Sequence, residues 1–115
     1  MKYEHYKTLI DEYIEAGRSK ENFCATIGFP AYSKIDENIL KVIGLVAAAA
    51  DNDMKSMVKL SDMKLIHFSR KFMIPYRSLQ NWIYDAKSAR KPPEYLVMMI
   101  GYILITEIEE LPWKE

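Results

Sequence analysis

The sequence predicts an all-α fold, on three observations. Apolar residues recur at helical spacing in five or six segments. No stretch keeps a clean period-two alternation, and the one strand candidate, Ile103-Leu104-Ile105-Thr106-Glu107-Ile108-Glu109, simply continues a helical run. The chain has 115 residues with 50 % apolar and 28 % charged side chains, the size and balance of one packed domain that needs no disulfide or metal. The expected architecture is a compact helical bundle containing a helix-turn-helix, with extra N-terminal helices.

The elements follow in order. Residues 3–16 place Tyr6, Leu9, Ile10, Tyr13 and Ile14 on one stripe, and Gly17 stops the helix because glycine accepts a left-handed conformation. Ser19 is the expected cap of a short helix through Phe23, Cys24 and Ile27, ended by Gly28 and Pro30, with a loop over 29–34. Residues 36–50 form a third helix with Asp36 and Glu37 in its first turn, where the dipole favours acid. Its apolar face is Ile39, Ile43, Val46 and Ala50, and its run of alanines permits close helix approach. Asp51-Asn52-Asp53 is a capping cluster before a fourth helix ending near Leu60. Residues 62–72 form a short helix with Leu65, Phe68 and Phe72 inward. Pro75 ends it, lacking an N–H and disfavouring helical geometry at Ile74. A helix over 76–84 follows with Leu79 and Trp82 inward, then one over 93–110. The stretch 95–105 is apolar all round, so its helix belongs at the centre of the core or in a subunit interface.

Composition excludes several functions. The single Cys24 allows no intrachain disulfide and no Cys-rich zinc site. His5 and His67 share no ligand spacing. Gly17, Gly28, Gly44 and Gly101 are too far apart to cradle a phosphate, and Cys24 has no base placed beside it. The methionines Met54, Met57, Met63, Met98 and Met99 read as core filler. An enzyme, a metal and a cofactor are not expected. The longest apolar run is short of the roughly 20 residues a bilayer span needs. The charged N-terminus does not read as a signal peptide. No membrane contact and a cytoplasmic address are expected.

The formal net charge is zero but unevenly spread. Residues 1–62 carry eight basic and ten acidic side chains, residues 63–94 seven and two, and residues 95–115 one and four. The basic middle segment coincides with two short helices joined by a tight connection, the helix-turn-helix unit. Its second helix presents Tyr76, Arg77, Ser78, Gln80 and Asn81 as base readers, since Arg forks onto guanine and Asn or Gln onto adenine. Lys64, Arg70, Lys87, Arg90 and Lys91 are the candidate phosphate anchors.

The string Phe68-Ser69-Arg70-Lys71-Phe72-Met73-Ile74-Pro75-Tyr76-Arg77-Ser78-Leu79-Gln80-Asn81-Trp82, with Lys91-Pro92-Pro93-Glu94-Tyr95, resembles the phage-repressor (Cro-like) helix-turn-helix family. It is especially similar to small regulators of Gram-positive mobile elements. The resemblance covers about residues 57–105. It implies a compact bundle of four or five helices, sequence-specific binding of double-stranded DNA and frequent dimerisation. It also implies core positions for Leu79 and Trp82, a groove face of Tyr76, Arg77, Ser78 and Asn81, and phosphate contacts from Lys64 and Lys87. Three positions depart from the pattern. Met73 stands at the turn position, where Gly or another residue tolerant of positive φ is usual. Ile83 stands where Glu is frequent, and Asp85 where Gly ends the recognition helix.

Two functions are therefore expected. The first is a transcriptional regulator of a phage or mobile element that binds DNA as a homodimer. Residues 53–115 would form the helix-turn-helix domain, and residues 1–52 would complete the core, dimerise or bind a protein. The second is a mobile-element inhibitor or adaptor, of a host defence nuclease for example, in which the same fold engages a protein. Neutral net charge, the acidic tail and Asp85 favour the second.

Overall fold

The computed structural model describes residues 2–26, 37–84 and 91–108, and these described residues form seven helices. They are α1 (Tyr3–Glu15), α2 (Lys20–Thr26), α3 (Glu37–Ala50), α4 (Met54–Ser61), α5 (Leu65–Lys71), α6 (Tyr76–Tyr84) and α7 (Glu94–Glu107). No strand occurs among the described residues. The all-α expectation holds. The expected features at Ile27, Gly28, Pro30, Asp36 and the loop over 29–34 lie outside the described residues.

Left-handed residues end the helices where the sequence offers them. After α1, Gly17 (φ +74°) gives its N–H to the Ile14 carbonyl, and Arg18 gives its own to the Tyr13 carbonyl. This pair of bonds satisfies carbonyls that the helix end would otherwise orphan. Asn52 (φ +55°) repeats the pattern after α3, with Asp53 N–H bonded to the Ala48 carbonyl at 2.8 Å. Asp53 then caps α4 by accepting from the Ser56 N–H at 3.1 Å. Ser19 does the same for α2 through the Asn22 N–H. The helix expected over 62–72 begins only at Leu65, because Asp62 turns left-handed (φ +60°) to end α4 and Lys64 is extended.

The centre of the core is α3, not the apolar run 95–105. Every residue from 42 to 49 in α3 is buried, and α1, α4 and α7 all pack against it. Its alanines are what make this possible: Ala47, Ala48 and Ala49 are buried small side chains that let neighbouring helices come close on several sides. The helix α7 lies beside α3 and buries Val97, Ile100, Gly101, Leu104 and Ile105. Its opposite side stays open, with Tyr95 68 %, Met99 52 % and Ile103 37 % exposed. Met99 is thus not core filler, whereas Met54 and Met57 are fully enclosed.

Gly101 shows how tightly α7 is seated. A Cβ there would lie 2.6 Å from the Tyr6 hydroxyl and 2.7 Å from Met57 Cε. Tyr6 is completely buried and donates its hydroxyl to the Met98 carbonyl at 2.8 Å. Burial, with Tyr3 close by, holds that hydroxyl well above the ordinary tyrosine pKa. The helices α4, α5 and α6 form a subsidiary group around Met57, Phe68, Ile74 and Leu79. Through Met57 and α7, this group shares one core with α1 and α3.

Candidate nucleic-acid interface

The connection between α5 and α6 is a four-residue turn, 72–75, built from side chain and backbone together. Met73 adopts φ +54° and gives its N–H to the Arg70 carbonyl at 3.3 Å. Ile74 gives its N–H to the Ser69 carbonyl at 2.9 Å. The buried Ser69 hydroxyl answers by donating to the Ile74 carbonyl at 2.7 Å. Ile74 is itself buried, which anchors the turn to the core. Pro75 then starts α6, its carbonyl accepting the Leu79 N–H. Two short helices in contact across such a turn are a helix-turn-helix unit. The departure at Met73 leaves this geometry intact, since methionine takes the left-handed conformation that glycine would take.

Helix phase decides which α6 side chains face outward. Leu79 is completely buried, which contributes about 1.5–3 kcal/mol to holding the helix in place. Trp82 and Ile83 flank it and are half-buried against the core. Trp82 lies inward as expected, packed against the core, with part of its surface lining an open cleft of about 720 Å³. On the other side Arg77 and Asn81 are exposed together, and Tyr76, three residues before Leu79, is 39 % exposed at the start of the helix. Ser78 and Gln80, also expected as readers, are half-buried and offer less surface. Two further exposed side chains, which the sequence reading did not single out, stand at the ends of α6. Tyr84 is 71 % exposed, two turns beyond Tyr76, and Met73 is 90 % exposed just before the helix. Counting helix phase as far as residue 84 would have found Tyr84.

Several cations are exposed on the neighbouring elements. Lys64 is exposed at the N-cap of α5, and Arg70 is exposed in its last turn. Lys91 is exposed, and the next residue is pinned: Pro92 is buried and its carbonyl accepts from the Asn52 side-chain amide at 2.9 Å. Lys87, Arg90 and Asp85 lie outside the described residues. Lys55, in the first turn of α4, was not among the expected anchors. It lines the same cleft as Lys91, Trp82 and Ile83, at the C-terminal end of α6. Extending the charge count back to residue 54 reveals it, since residues 54–84 hold six Lys or Arg and one acid.

Three acids line the cleft beside Lys55 and Lys91: Asp51 and Asp53 are engaged within the fold, and Glu94 is exposed. The lone acid of residues 54–84, Asp62, pairs with Lys41 and holds the Lys41 ammonium above its ordinary pKa. Asp51 pairs with Arg18 and accepts from the Tyr13 hydroxyl. Glu107 takes Lys71. The face of α6 is therefore polar, aromatic and cationic, and the described part of α6 carries no acid.

Other chemistry finds little to work with. Among the described residues no group of three or more His, Cys, Asp or Glu side chains is placed to hold a metal ion. Cys24 is buried and its thiol pKa is pushed up by that burial, which disfavours the nucleophilic thiolate. No described helix is long and apolar enough to cross a membrane. Comparison with protein-family models, curated proteins and solved structures gave no match.

Proposed function

We propose that the chain binds double-stranded DNA through α6 and regulates transcription in a phage or mobile element. The observation that carries this reading is the exposed pair Arg77 and Asn81, set over the buried Leu79 by the left-handed turn at Met73. Arg77 and Asn81 lie one helical turn apart, about 6 Å along the axis. That spacing lets both reach base edges of neighbouring pairs in one major groove, Arg77 on guanine and Asn81 on adenine. Lys64, Arg70, Lys91 and Lys55 supply phosphate contacts that fix the register. Lys87 and Arg90 extend the anchoring set in the same role.

The proposed active form is a homodimer. A side-by-side pair presents two recognition helices about 34 Å apart to a two-fold symmetric site. The exposed ridge Tyr95, Met99 and Ile103 on α7 supports this assembly. These side chains follow each other at intervals of four, and two copies can pack such ridges against one another across a two-fold axis without opposing like charges.

The test is selection of bound duplexes from a random pool, followed by titration of the enriched site across a salt series. Enrichment of one motif, with affinity falling as salt rises, supports the reading. A protein that shifts no duplex even at low salt overturns it and transfers the fold to the inhibitor or adaptor role.

A further inference from the structure

Four described residues other than glycine hold a positive φ: Arg18, Asn52, Asp62 and Met73. For three of them the reason is visible. Asn52 and Asp62 have short polar side chains that tolerate this conformation. Arg18 is rewarded across the fold, its guanidinium donating to the Ala50 carbonyl at 3.1 Å and pairing with Asp51. Met73 has neither excuse. The turn is held by backbone bonds and by Ser69, but the Met73 side chain itself is 90 % exposed and packs against nothing inside the protein that would offset the strain. Glycine would make the same turn without that cost. A strained residue that projects a flexible apolar side chain into solvent points to a contact made outside the molecule.

The location indicates the contact. Met73 sits at the N-terminal entrance of α6, immediately before Pro75, Tyr76 and Arg77. This is the end of a recognition helix whose residues meet base edges. Every donor and acceptor in the major groove is polar, and the one apolar group exposed there is the 5-methyl of thymine. Resting on the DNA reading above, we propose that Met73 is a specificity-determining residue that packs against a thymine methyl beside the base pair read by Arg77.

Deoxyuridine tests this, because it differs from thymidine by that methyl alone. Parent protein and Met73→Gly are titrated against the selected duplex and against versions carrying deoxyuridine at each thymine in turn. The glycine variant suits the backbone conformation, so its fold is retained. Losing one buried methyl should weaken the parent about fourfold at one position of each half-site. Met73→Gly should bind the thymine and uracil versions there equally. If the parent ignores every substitution, or if Met73→Gly responds as the parent does, the assignment of Met73 is overturned while DNA binding stands. If the parent selects no duplex at all, the DNA reading itself fails and Met73 falls with it.

Discussion

At the scale of the residue, Met73 and Arg77 make opposite predictions although only three residues separate them. Met73 strains the turn, so Met73→Gly should stabilise the protein by about 0.5–1 kcal/mol, the left-handed penalty less the extra chain entropy of glycine. Urea denaturation reads this as a higher midpoint at unchanged slope. A lower midpoint would mean that the methionine side chain stabilises the fold after all. Arg77 is exposed, and Arg77→Ala should leave the melt unchanged. It should flatten the preference at one or two base pairs, a loss of about 1–3 kcal/mol of discrimination. Lys91→Ala should instead weaken all sequences alike and lower the log–log salt slope by about one. An Arg77→Ala protein with an unchanged preference profile would show that α6 does not read bases. The residue scale also marks where sequence reasoning failed. Exposure of Arg77 and Asn81 followed from the phase of Leu79. The half-burial of Gln80 did not, because it depends on how α6 is tilted against α4, which helical periodicity does not encode.

At the scale of the element, caps and close approaches carry the testable energetics. Asp53 ends one helix and begins the next, its side chain accepting both the Ser56 N–H and the Ser56 hydroxyl. Asp53→Ala should cost about 1 kcal/mol, the usual value of an N-cap. Gly101 is the contact at which α7 meets α1, α3 and α4. Gly101→Ala forces the Tyr6 ring and the Met57 thioether to move, at about 1–3 kcal/mol. If the Tyr6 hydroxyl is the principal obstacle, Gly101→Ala combined with Tyr6→Phe should cost less than the two changes summed. Strict additivity would place the clash elsewhere. The element boundaries were legible wherever chemistry announces them. Gly17, Ser19, Asp53 and Pro75 all act as their residue types suggest. The start of α5 was not legible, because an aspartate turning left-handed at Asp62 looks in sequence like any polar residue inside a helix.

At the scale of the whole molecule, the run 95–105 was expected at the centre of the core or in an interface, and α3 takes the centre for a physical reason. Apolar content alone favours 95–105, but a central helix must be approached from several sides, and that needs small residues. The alanines of α3 meet this need, while Tyr95, Met99 and Ile103 are too bulky and too numerous to be enclosed by a chain of this size. What the monomer leaves open, a second copy can cover. In the proposed homodimer, a two-fold axis near Met99 would set that residue against its own equivalent, and Tyr95 near the second copy's Ile103 end of the ridge. The substitution Met99→Glu then places two like charges face to face in an apolar seam, which strongly disfavours pairing. In the monomer the same side chain is half-exposed, so its fold should melt close to the parent's temperature. Light scattering at tens of micromolar should give twice the 13.5 kDa chain mass for the parent and the single mass for the variant. DNA titration of the same pair should show the variant binding a single half-site nearly as well as the parent, while losing the advantage of a paired site. A parent that scatters as a monomer, or a variant that remains dimeric, would remove α7 from the interface. The recognition helix would then have to act alone or be paired through another surface.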